Sequence, residues 1–154
     1  MISMNFDQNE VISSALAGIL GTLAFAGFFF GVGKTGTIKG AIPALYGLKP
    51  SLIAGMLIHL VHGAILGVLY TIMIKGVGYS EVLEDSVKSG LAGLGYGVLT
   101  TVLLAAVLMP VWLSTMGFPK APTAPNFSPI GLVGHLIYGV ILGATYPLIR
   151  KQFE

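Results

Sequence analysis

Four apolar stretches, each broken from the next by a short polar or proline-rich segment, set the pattern of this chain. They run from about Val11 to Val32, Ser51 to Ile74, Ser86 to Met109 and Pro129 to Leu148. Each is long enough to cross a hydrocarbon layer of roughly 30 Å, which takes about 20 helical residues. The pattern predicts an all-α, integral membrane four-helix bundle forming a single transmembrane domain over residues 1–154. Pro50 suits the first turn of helix 2, where its missing N–H costs nothing. Asp85 or Ser86 suits the N-cap of helix 3. Pro110 ends or kinks helix 3, and the proline-rich stretch after it forbids a continuous helix. The apolar segment Ala41–Pro50 is too short to span. It reads as an interfacial piece anchored by Tyr46 and Lys49, and Trp112 as a second interfacial anchor.

Within helices 2 and 4 one spacing recurs. Gly55-x3-His59-x3-Gly63-x3-Gly67-x2-Tyr70 is repeated as Gly131-x3-His135-x3-Gly139-x3-Gly143-x2-Tyr146, every member 76 positions after its counterpart. At about 100° per residue, the members of each set share one helical face. Ser89-Gly-Leu-Ala-Gly likewise echoes Ser14-Ala-Leu-Ala-Gly, 75 positions earlier, and Pro119 lies 76 after Pro43. The chain therefore reads as two tandem helical hairpins, about 11–75 and 87–151, joined by the hydrophilic seam Lys75–Lys88. Each hairpin enters and leaves on one side, so the two are expected to be parallel about an axis along the membrane normal. Helices 2 and 4 then meet near that axis through Gly55, Gly63, Gly67 and Tyr70 on one and Gly131, Gly139, Gly143 and Tyr146 on the other, because small residues let helices approach closely.

Composition strengthens the membrane assignment. Of 154 residues 55% are hydrophobic and 9% charged, against about one quarter charged in soluble domains; the mean hydropathy is +0.89. A net charge of +2 gives no hold on nucleic acid, and the absence of cysteine excludes disulfides, iron–sulfur clusters and thiolate metal sites. The polar N-terminus, carrying Asp7 and Glu10, lacks the basic start of a cleaved signal peptide, so helix 1 is expected to be retained. Four cations, Lys75, Lys88, Arg150 and Lys151, fall on the side of the termini and four, Lys34, Lys39, Lys49 and Lys120, on the other. The first set directly flanks helices, which favours cytoplasmic termini in a multi-pass cell-membrane protein. Gly31-Val-Gly-Lys-Thr-Gly hints at a phosphate loop but has Phe28 where the first glycine belongs and follows a helix rather than a strand.

The chemistry on offer is histidine. A histidine inside a membrane helix is a functional candidate by default, and three readings stand open. His59 and His135 can be packing glue, each bonded to a carbonyl, a tyrosine or the other. They can be axial ligands of a b-type haem, with Gly63 and Gly139 making room for the macrocycle and the two ligating nitrogens about 4 Å apart. Or His59, His62 and His135 can serve a metal ion or a proton, although Tyr138 stands where the repeat would place a partner for His62. No nucleophile–base set or acid pair is visible. The leading expectation is a non-catalytic subunit, not an enzyme and without a cofactor. It packs in or stabilises a larger membrane complex, respiratory or oxidative in kind, through other membrane subunits or self-association within the lipid bilayer. The alternative is a cytochrome-like electron-transfer protein with His59 and His135 on haem b.

Ile42-Pro43-Ala44-Leu45-Tyr46-Gly47-Leu48, His59-x2-His62-Gly63, Met109-Pro110-Val111-Trp112-Leu113, Gly117-Phe118-Pro119 and Gly134-His135-x2-Tyr138-Gly139 together resemble a family of small four-span membrane proteins common in archaea. The resemblance covers most of the chain from helix 2 onward. It implies the four-span fold and an archaeal-type source, and it carries no activity.

Overall fold

The computed structural model describes residues 7–153; the polar stretch before Asp7 lies outside them. Among the described residues the chain is helical, with no strand. Four helices are long and apolar enough to cross a membrane: α1, Gln8–Gly31; α2, Leu52–Gly76; α3, Ser86–Thr115; and α4, Pro129–Arg150.

Local chemistry sets where each one starts. Asp7 and Glu10 form a capping box on α1, with the Glu10 N–H donating to Asp7 Oδ1 at 2.7 Å and the Asp7 N–H to Glu10 Oε2 at 3.2 Å. Ser51 caps α2 and accepts from the Ala54 N–H, so Pro50 stands just before the cap rather than in the first turn. Asp85 caps α3 with bonds from the Val87 and Lys88 amides, and Ser128 caps α4 ahead of Pro129.

Helix α3 departs from expectation. It does not stop at Met109 but runs on to Thr115. The turns over Thr101–Leu108 widen to a π-helix, and Pro110 then opens a final α-helical stretch. A proline takes away the donor for the carbonyl four residues back, and that carbonyl, Ala106, instead accepts from the Asn126 N–H at 2.8 Å. The same device recurs earlier. Thr37–Ala41 is a π-helical turn leading into the short helical piece Ile42–Ala44. Pro43 frees the Lys39 carbonyl, which accepts from the Ser51 N–H at 2.9 Å. Each proline thus ties the segment before it to the chain entering the next helix. Ala41–Pro50 belongs to this folded turn, with Ile38 and Pro43 buried against α2. Gly47 and Gly117, both at φ 68, close the two prolyl pieces in a backbone region only glycine enters freely.

The helices pack as α2 on α1, α1 on α4 and α4 on α3. The expected α2–α4 contact through facing glycines is not formed. Gly63 and Gly67 face α1, where a Cβ would collide with Thr22, Gly18 and the Ser14 carbonyl; Gly139 and Gly143 face α3, against Gly93, Gly97 and the Ser89 carbonyl. Each glycine face is claimed by its own hairpin partner because that partner presents a matching row of small residues, Ser14 and Gly18 on α1 and Ser89, Gly93 and Gly97 on α3. At the end that carries the described termini, Lys75 pairs with Glu10 at 2.7 Å and Arg150 with Asp7 at 2.9 Å. Such pairs add only modestly to stability, but they place the starts and ends of α1, α2 and α4 together.

Candidate functional site

Between α2 and α3 the bundle is closed at one end and open at the other. Toward the terminal end, the Tyr70 hydroxyl donates to the Ser89 carbonyl at 2.7 Å and the Tyr96 hydroxyl to the Leu66 carbonyl at 2.8 Å, with the two tyrosine rings edge to face at 5.3 Å. Beyond them the helices part around a cavity of about 540 Å³. One wall is α2, with His59, His62 and Leu66, and the other is the π-helical part of α3, with Thr101 and Leu104. Phe25 and Phe29 of α1 and His135 of α4 close the back. Ile65 and Leu108, about half exposed at 53% and 47%, stand at the rim on the lipid-facing side.

The three sequence-singled histidines all reach this cavity, each in a different way. His135 Nδ1 lies 2.7 Å from the Gly131 carbonyl, which can only accept, so Nδ1 carries the proton and Nε2 is left as an acceptor. His62 Nε2 meets the Tyr46 hydroxyl at 2.6 Å, and Tyr46 in turn packs edge-on to Trp112 at 5.4 Å. His59 makes no hydrogen bond among the described residues, and its Nε2 is enclosed without a partner. The Phe25 ring stands between the first and the third, edge-on to His59 at 5.0 Å and to His135 at 5.1 Å, and stacked on Phe29 at 4.3 Å.

This arrangement decides which readings the residues can serve. A porphyrin between His59 and His135 needs open grooves at Gly63 and Gly139. Those grooves are filled by Thr22 and Gly18 and by Gly93 and Gly97, and Phe25 sits edge-on to both imidazoles. The site as built does not fit a haem at those glycines. Among the described residues, no three histidine or acidic side chains converge to hold a metal ion, and His62 Nε2 is engaged with the Tyr46 hydroxyl. His59 and His135 are not bonded to each other; they share Phe25 instead. Of the remaining singled-out positions, Gly55 lies against the Ile38 carbonyl and Gly131 against its own cap, Ser128, while Tyr146 is buried.

Several participants were not singled out from the sequence. Phe25 falls in a phenylalanine-rich stretch with Phe28, Phe29 and Phe30, and nothing in its spacing marks it as the ring between two histidines. The cavity wall at Thr101–Leu108 had a legible signal: Pro110 strips the donor from Ala106 and so announces a disturbed turn before it. Trp112 sits near the end of α3 and lines the cavity. No protein-family model, curated protein or solved structure matches this chain.

Proposed function

We propose that this chain is a non-catalytic membrane subunit whose working surface is the cleft between α2 and α3, which receives another component of the membrane. The observation that carries the reading is the orphaned imidazole of His59 on the wall of a lipid-facing apolar cavity. An unpaired polar group enclosed at membrane depth is costly. Here it is kept beside two further histidines where an aliphatic side chain would pack without penalty. Pockets of this size and lining receive small apolar ligands or an inserted side-chain cluster of a partner.

The two hairpins are, on this proposal, copies of one unit. Support comes from their contacts: Gly18 against Gly63 and Ser14 against Gly67 in the first, Gly93 against Gly139 and Ser89 against Gly143 in the second. The offsets between these pairs are the 75 and 76 positions of the sequence repeat. Duplication followed by divergence then leaves one inter-hairpin seam closed and the other open. The described termini are placed on the cytoplasmic side, because Lys75, Lys88, Arg150 and Lys151 flank helices there. The natural chain has no cysteine, so single cysteines at Ser80 and Thr123, labelled in sealed vesicles by an impermeant thiol reagent, report the orientation cleanly.

The cleft itself is tested by photo-crosslinking in native membranes, with a benzoylphenylalanine at the rim, at Leu108 or at Ile65. Adducts of defined mass at both positions support the reading. A chain that acquires no adduct beyond scattered bulk phospholipid contradicts it.

A further inference from the structure

The cleft has a ligand chemistry written into its walls. Two features select it. The first is hydrogen bonding: His135 offers a lone pair at Nε2 because its Nδ1 proton is committed to Gly131, and His59 brings a second imidazole with nothing bonded to it. The second is shape: the back of the cavity is a stacked Phe25–Phe29 pair, and Trp112 and Phe118 also line it. Flat aromatic walls favour a flat ring between them, and an acceptor imidazole calls for a hydroxyl donor rather than a bare carbonyl.

We propose that the cleft between α2 and α3 binds the hydroxyl-bearing ring of a hydroquinone-type lipid, with the ring between the aromatic walls and an apolar tail leaving past Ile65 and Leu108. This rests on the reading of the cleft as a receptor for another membrane component and names that component's chemistry. One ring hydroxyl donates to His135 Nε2. A hydroxyl both gives and accepts, so the ring's other hydroxyl can meet His59 at Nδ1 in whichever tautomer it holds, since Nε2 is enclosed. The oxidised quinone has two acceptor oxygens and no donor, and it leaves His135 Nε2 facing an oxygen lone pair. The site therefore prefers the reduced form. A phosphate-headed lipid meets only Lys120 among the charged groups of the lining, at the loop end of the cavity and away from the imidazoles.

Trp112 is the only tryptophan in the chain and lines the cavity, so its fluorescence reads occupancy directly. The purified protein in detergent is titrated anaerobically with a decyl-substituted benzohydroquinone, with the matching benzoquinone, and with dodecanol as tail and hydroxyl without a ring. Half-saturating concentrations are compared, not quenching amplitudes. The hydroquinone is expected to saturate at a concentration about fivefold to tenfold below the quinone, the worth of one good buried hydrogen bond, with dodecanol weaker still. His135→Ala is expected to erase the preference for the reduced ring by weakening the hydroquinone while the quinone binds no worse, a split that altered folding does not produce. If that variant does not fold, the preference in the unsubstituted protein decides alone. Equal half-saturation by hydroquinone, quinone and dodecanol overturns the ring assignment. If Ile65 crosslinks to a polypeptide or to one phosphate lipid of defined mass in that case, the cleft reading survives without the hydroquinone. If Ile65 crosslinks to nothing beyond scattered bulk phospholipid, both fall.

Discussion

The α1–α4 seam and the α2–α3 seam join the same two hairpins, and only the first is sealed along its length. On the sealed side rings nest into glycines. Tyr138 lies over Gly21 and its hydroxyl crosses to the Gly63 carbonyl at 2.9 Å, while Phe25 and Phe29 press on Gly134. The positions 75 or 76 residues away on the other seam reverse this complementarity. Gly21 corresponds to Tyr96, Tyr138 to His62, Gly134 to Ile58, and Phe25 and Phe29 to Thr100 and Leu104. A large residue stands at the position matching the glycine, and smaller or polar ones at those matching the rings, so nothing on α2 and α3 interlocks beyond Tyr96. The helices part there, and the widened turns of Thr101–Leu108 form the wall of the resulting space. A cavity of this kind follows from a few size exchanges at matched positions on a shared glycine-stapled frame.

The largest expected effect comes from the staples common to both hairpins. Gly139→Leu places side-chain atoms where Gly93 and Gly97 backbone already lies, and backbone cannot yield as a side chain can. A loss of more than about 3 kcal/mol is expected, beyond ordinary overpacking, read as failure to recover monodisperse protein in detergent. A normal melting transition would show that the two helices are not in contact.

Next in size is the sealed seam alone. Gly134→Ala meets ring atoms of Phe25 and Phe29 at 2.7 Å. These rings can shift, so a cost of about 1–2 kcal/mol is expected, with the displaced Phe25 moving against the two histidines. Tyr138→Phe leaves its ring in place and removes only the bond to Gly63. About 1 kcal/mol is expected there, in line with side-chain hydrogen bonds between membrane helices. Both are measured as shifts in melting temperature. The contrasting change on the open seam, Leu104→Phe, fills space instead of forcing it, and its effect on melting is expected within about 0.5 kcal/mol while hydroquinone binding is lost.

Much of this was legible in the chain before any coordinates. The four spans, the cap of α3 and the glycine faces follow from residue types at fixed spacing, because those interactions are local or repeat every turn. What the glycine faces touch was not legible. Periodicity says that a face is flat, but only the matching rows at Ser14 and Gly18 and at Ser89 and Gly93 select the hairpin partner over the other glycine helix. The cavity was hidden for a further reason: it arises from the mismatch of His62 with Tyr96 across a seam that the repeat makes look equivalent to the one between α1 and α4. The run of α3 through Pro110 was misjudged because a proline breaks an α-helical bond, whereas a π-helical turn with an outside donor, Asn126, absorbs it.

The smallest expected effect concerns pH at the terminal end. The Lys88 amide, helped by that of Val87, holds the exposed Asp85 carboxyl below its ordinary value of 3.8. A group with a lowered folded pKa stabilises fully above its ordinary value and loses that contribution as pH falls through the folded one. Asp85→Asn keeps an acceptor at the cap and removes the titration. The unsubstituted protein is therefore expected to lose melting temperature slightly more steeply than Asp85→Asn below about pH 4, and to match its slope above about pH 6.

Native mass spectrometry of protein extracted gently from its own membranes tests the open seam most directly, comparing the unsubstituted chain with Leu104→Trp, which fills the space between α2 and α3. The chain is expected to leave the micelle carrying one bound component of defined mass, and the Leu104→Trp chain to leave it bare while melting normally. Two equally bare chains, or two that retain the same mass, would contradict a cleft built to receive another molecule.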